Sequence, residues 1–175
     1  VNAISPAIAR HDQEIVHDPL ALRRVLGRFA TGVAVVTTRT EDGKPVGLTV
    51  NSFASVSLTP PLVSWCLRRD AASFPVFAGT AHWAINVLAS TQVNLARKFC
   101  GPLAERFEGV TYHDGLGGAP LLNGAIARLE CSAFHGVDGG DHHIFLGRVE
   151  EYATGEGAPL LFHGGSFGDW LPHTA

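Results

Sequence analysis

Aromatic residues are scarce, at 9% of the 175, which argues against a base-stacking surface for nucleic acid. Charge is scarce too: only 17% of residues are Asp, Glu, Lys or Arg, the net charge is −3, and the pI is near 6.3. That balance steers the protein toward neither nucleic acid nor an anionic membrane. No apolar run approaches the ~20 residues of a membrane span, and no signal peptide is recognisable at the start. The three cysteines, Cys66, Cys100 and Cys131, are odd in number, widely spaced and without a C-x-x-C. They suit buried free thiols in a reducing cytoplasm better than disulfides or zinc. A Gly-x-Ser-x-Gly elbow, a P-loop, a Rossmann G-x-G-x-x-G and an H-E-x-x-H are all missing.

What is present points to a β-rich domain. Hydrophobic residues make up 46% of the chain, and 20 glycines and 10 prolines supply many turns. Residues 1–17 lack a sustained period and read as an N-terminal arm; residues 18–175 read as one domain. Asp18-Pro19 is a helix start, with Leu22, Val25, Leu26 and Phe29 as one apolar stripe and an end near Gly32. Val33–Arg39 is apolar on both faces, a covered strand. Residues 41–44 form a hairpin turn. Val46–Leu67 is extended, broken at residues 58–61, and Trp83–Leu88 is another strand. A short helical piece ends near Gly79, and a second helix spans Thr91–Cys100. Residues 102–123 are loop-rich. Ala125–Val137 alternates faces, residues 138–141 turn the chain, and His142–Tyr152 returns as the antiparallel partner. A last strand lies near Leu160–Phe162. Six or more strands with two or three short helices fit a closed or partly closed barrel, or equally a sandwich.

Two groups of residues could carry chemistry. Thr49, Asn51, Ser52, Ser55 and Ser57 crowd one extended segment between apolar strands. A buried hydroxyl or amide costs roughly 1–3 kcal/mol without a partner, so either local backbone or a polar ligand must supply one. The second group is Gly140-Asp141-His142-His143. Adjacent strand residues face opposite ways, so the two imidazoles do not converge on one metal, and no metal site is expected. Each histidine on its own reads equally as a polar residue at a turn edge. The helix start at residues 90–91 offers unpaired backbone N–H groups, whereas Lys98 suits the helix C-terminus. Trp65 reads as core, and Phe99 reads equally as core or as the wall of a bound group. Cys66 has no charged neighbour to activate it as a nucleophile.

The string G47-L-T-V-N-S-F53 with S55-V-S57 and Pro60-Pro61, together with G140-D-H-H-I-F-L-G-R-V149, resembles the short-chain flavin reductase family. So does N86-V-L with Gln92 and L95-A-R-K-F99. The resemblance covers residues 20–170 and implies a mainly β split barrel with a few short helices. It implies hydride transfer from NADH or NADPH to FAD or FMN, supplying reduced flavin to a partner monooxygenase. It also implies a homodimer with flavin near the subunit interface. By the same likeness, Thr49, Val50, Asn51, Ser52, Ser55 and Ser57 hold the flavin. The strand Trp65, Cys66, Leu67 borders its ring, and Ser73 lies near its phosphate. Asn86, Leu88, Gln92, Lys98 and Phe99 run along it, and Phe167 covers the site. His142 contacts the reduced nicotinamide, with Asp141 fixing the turn or the imidazole. Where the family often has a basic or larger residue after its late histidine, this chain has Gly164-Gly165. Two other readings remain open: a flavin-binding split-barrel protein or oxidase without free-flavin turnover, and a non-catalytic small-molecule carrier.

Overall fold

A computed structural model describes residues 18–172; the expected arm, residues 1–17, lies outside them. The chain begins with α1 (Pro19–Leu26), whose Asp18 carboxylate accepts from the Leu20 N–H at 2.9 Å, with proline at the first helical position. Six strands and a helix follow: β1 (Thr31–Gly32), β2 (Ala34–Arg39), β3 (Pro45–Val50), β4 (Ala54–Leu58), β5 (Pro61–Arg68), α2 (Phe74–Gly79) and β6 (His82–Val87). After α3 (Val93–Lys98) come β7 (Tyr112–Asp114), β8 (Pro120–Leu122), β9 (Ala127–Gly139), β10 (His142–Thr154), β11 (Leu160–His163) and β12 (Ser166–Asp169).

Seven strands form the main sheet, in the order β3-β2-β6-β9-β10-β5-β4, with every pairing antiparallel. The two ends of that order, β3 and β4, are consecutive in the chain and only residues 51–53 join them. The sheet therefore curls until its edges meet, yet hydrogen bonds do not close it: it is a split barrel rather than a closed one. Inside the curl, Val36, Val46, Val50, Val63, Trp65, Trp83, Ile85, Cys131 and Phe145 pack with Phe77 of α2. Trp65 stacks on Phe145 with centroids 4.6 Å apart and planes 13° apart. Outside it, Val33, Val35, Leu88, Ala96, Phe99, Leu122 and Leu160 form a second cluster beneath α3, β8 and β11. Strand β2 is apolar on both faces because it separates these two cores.

Several expectations are corrected by packing. The first helix stops at Leu26, because Gly27 caps it with its N–H on the Arg23 carbonyl. Its stripe does not join the core: Val25 is 68% exposed and Phe29 79%. The Thr91–Cys100 helix is divided, a 3-10 turn at Ser90–Gln92 preceding α3, because the Gln92 side chain caps the Ala89 N–H at 3.0 Å. The loop-rich stretch contains a small two-stranded sheet, β7-β8. A further strand, β12, pairs with β11, which also holds β1. The three cysteines are free as expected, but only Cys131 is buried; Cys100 is exposed.

Candidate active site

A cleft of about 340 Å³ opens where the barrel is split. It is lined by Leu48, Thr49, Val50, Asn51 and Ser52 on one side and Cys66, Leu67 and Arg68 on the other, with Ala71 and His142 completing it. Its existence follows from register. Strand β4 pairs with β5 only from Pro61 to Ser64, so the last residues of β5 have no strand on that side, and the end of β3 faces them across the gap. A larger open cavity, about 650 Å³, lies elsewhere, between Arg39–Asp42 and Pro75–Ala81; none of the residues expected to carry chemistry line it.

His142 reaches the cleft from the β9–β10 hairpin, where Gly140 takes φ +68° in the tight turn. Its Nδ1 lies 2.7 Å from Asp141 Oδ1. That bond holds the Asp141 carboxyl below its ordinary value, so an ionised carboxylate accepts from Nδ1–H, and in the neutral ring Nε2 is left as an acceptor. The tip is tied to the end of β5 by the Arg69 N–H on the Asp141 carbonyl, 3.0 Å. His143 points the opposite way, as the alternation of strand faces requires. It packs edge-on against Phe145 and Phe74, with its Nδ1 2.9 Å from Asp138 Oδ1. The His143 bond, followed by the charge of Arg69, lowers the Asp138 carboxyl.

The other expected residues divide between cleft and interior. Thr49 lines the cleft, but its hydroxyl donates to the Ala96 carbonyl at 2.7 Å. Ser52 spans the gap: its hydroxyl accepts from the Cys66 N–H at 3.0 Å and donates to the Cys66 carbonyl at 3.3 Å. Asn51 and Ser55 are exposed, and the Ser57 hydroxyl accepts from the Thr59 N–H in the following turn. Val50 and Leu67 line the cleft although both are buried, and burial pushes the Cys66 thiol up.

Trp65, Leu88 and Phe99 are fully buried in the two cores. Gly47 makes room for Phe99: a Cβ there would stand 2.8 Å from Phe99 Cε1. Asn86 is also fully buried, and its amide is used up. Its Nδ2 donates to the Val35 carbonyl and Thr37 Oγ1, and its Oδ1 accepts from the Leu122 N–H at 2.8 Å. Ser73 is 3% exposed at the start of α2. Gln92 bridges Ala89 and Asn123, Lys98 borders a separate groove with Glu108, and Phe167 rests on Phe162 in the outer core.

Leu48, Arg68 and Ala71 were not anticipated. Arg68 forms a two-pronged pair with Asp70, Nε to Oδ1 at 3.0 Å and Nη2 to Oδ2 at 2.6 Å. The signal for it was the polar run Arg68-Arg69-Asp70 directly after an apolar strand. Among the described residues, no group of three or more His, Cys, Asp or Glu is placed to hold a metal.

The cleft lies between two chain segments and has hydroxyl (Thr49, Ser52), amide (Asn51) and imidazole (His142) side chains among its lining residues. Residues 26–171 match the family model described as flavin reductase like domain. The FMN reductase (NADH) SmoA of Agrobacterium fabrum (strain C58 / ATCC 33970) is 43% identical over 148 residues, covering 85% of this chain and 84% of that protein. The flavin-dependent monooxygenase reductase subunit HsaB of Rhodococcus jostii (strain RHA1) is 38% identical over 151 residues, 86% of this chain and 77% of that protein. Among solved structures, the Streptomyces globisporus C-1027 NADH:FAD oxidoreductase SgcE6, in complex with NAD and FAD fragments, superposes with a TM-score of 0.84. It is 41% identical and covers 90% of this chain and 96% of that one.

Proposed function

The chain belongs to the flavin reductase-like domain family, and from that premise we propose that it is an NAD(P)H:flavin oxidoreductase working at the split of its barrel. One observation carries the reading: the barrel opens into a slot where His142, oriented by Asp141, faces the strand edges Leu48–Ser52 and Cys66–Arg68. FAD or FMN, when bound, supplies the hydride acceptor, and the protein supplies binding, orientation and access. Thr49, Val50, Asn51, Cys66 and Leu67 border the ring. His142 Nε2 accepts a hydrogen bond from the carboxamide of NADH or NADPH and aligns the donor carbon; no side chain acts as nucleophile or strong acid. A positioned contact of this kind can be worth about a hundredfold in rate.

Reduced flavin then passes to a partner monooxygenase, a role supported by relatives named as monooxygenase reductase subunits. A homodimer is supported by the exposed apolar residues of α1 and by Val56 and Leu58 on the open edge of β4, 51% and 91% exposed. Unpaired apolar edges are normally covered. The free thiols support a cytoplasmic setting. Anaerobic stopped-flow mixing of protein, flavin and NADH or NADPH tests the reading. Rapid bleaching of the flavin absorbance is expected; binding of flavin without bleaching would leave a flavin carrier or an oxidase of another substrate.

A further inference from the structure

The barrel is split between β3 and β5, and the Ser52 hydroxyl bridges the opening. Across this window, from Leu48–Ser52 to Cys66–Arg68, two hydrogen bonds join the walls among the described residues, and one atom makes both: Ser52 Oγ accepts from Cys66 N–H and donates to Cys66 C=O. A strand edge exposes the N–H and C=O of alternate residues on the same side. Where β4 stops pairing, at Ser64, Cys66 is the next residue of β5 whose backbone groups face the gap. Ser52 therefore stands in for the strand that β4 no longer provides. Its one proton is committed, so it is not available as a donor to a ligand.

We propose that Ser52 is a positioning residue, one that sets the width of the flavin slot through the backbone of Cys66 rather than by touching flavin. The inference rests on the reductase reading above and deepens it. A planar ring held between two strand edges requires a fixed separation between them. The staple presets that separation before flavin arrives, so the protein does not have to order the slot during binding. Threonine can keep the same hydroxyl; alanine cannot.

The test compares wild-type, Ser52→Ala and Ser52→Thr proteins by amide hydrogen exchange without flavin, by flavin titration, and by stopped-flow reduction with NADH. In Ser52→Ala the Cys66 amide should exchange faster in the flavin-free protein. Flavin affinity should fall about three- to tenfold, as expected for a lost neutral hydrogen bond, the reduction rate at saturating flavin should fall as well, and Ser52→Thr should restore all three. Weaker flavin binding with unchanged Cys66 exchange would overturn the proposal and make Ser52 a direct ligand. Faster exchange with unchanged affinity and rate would overturn it too, leaving a bond that matters to the fold alone. A wild-type protein that never reduces flavin refutes the reductase reading and this inference with it, and is recognised before any variant is compared.

Discussion

His142 and His143 are neighbours in β10 with separate carboxylates: His142 Nδ1 is 2.7 Å from Asp141 Oδ1, and His143 Nδ1 is 2.9 Å from Asp138 Oδ1. The similarity ends there. His142 lines the cleft, whereas His143 is wedged against Phe74 and Phe145.

This difference sets the first prediction. His142→Ala should weaken productive NADH binding and slow flavin reduction, by up to about a hundredfold, with flavin affinity near its wild-type value. His143→Ala should lower thermal stability and affect reduction much less. Stopped-flow reduction across NADH concentrations, with flavin affinity measured separately, checks both. A damaging His143→Ala beside a silent His142→Ala would reverse the assignment.

Asp141 gives a pH prediction. Its hydrogen bond to His142 holds the carboxyl below the ordinary value of 3.8. A carboxyl whose folded value lies below its unfolded one adds stability that is complete above the unfolded value. That stability is lost as pH falls through the folded value, so the Asp141 contribution should disappear only below pH 3.8. Carbon-detected NMR titration should find the Asp141 carboxyl below 3.8 in the wild type and raised in His142→Ala. An unmoved midpoint in that variant would show that the imidazole is not the cause.

The cysteines should be dispensable for chemistry. Burial pushes the Cys131 thiol up to about 12, so it carries no thiolate at neutral pH, and Cys66 is shifted upward as well. In folded protein a thiol reagent should modify exposed Cys100 readily and leave Cys131 untouched. A variant with all three replaced by alanine should retain detectable hydride transfer. Loss of turnover with fold and flavin binding intact would force a cysteine into the mechanism.

Asn86 separates scaffold from site. Replacing it by leucine removes the acceptor for the buried Leu122 N–H and the donor to Thr37, at a cost of about 1–3 kcal/mol for an unsatisfied buried group. Asn86→Leu should lower the unfolding midpoint in urea, while the protein that remains folded binds flavin normally. A selective loss of flavin affinity at unchanged stability would put Asn86 in contact with the cofactor.

The sequence by itself determined most of the strands, the two hairpin turns, the opposite facing of His142 and His143, and the family. Those follow from local rules: alternation of faces, glycine where φ is positive, proline at a helix start. It also singled out Asn51, Ser52, Cys66 and His142, which the fold brings to one cleft. Only the tertiary structure decided which polar groups were already spoken for. Thr49 and Asn86 find partners on α3, β2 and β8, 36 to 51 residues away in the chain, and no local pattern reveals such a pairing. The Leu22–Phe29 stripe has the period of a buried helix face, yet it lies exposed, because periodicity records which side is apolar and not what covers it. The slot itself has the same origin. It exists because β4 leaves β5 at Ser64 while β3 ends opposite, a matter of register between strands that meet only when the sheet curls.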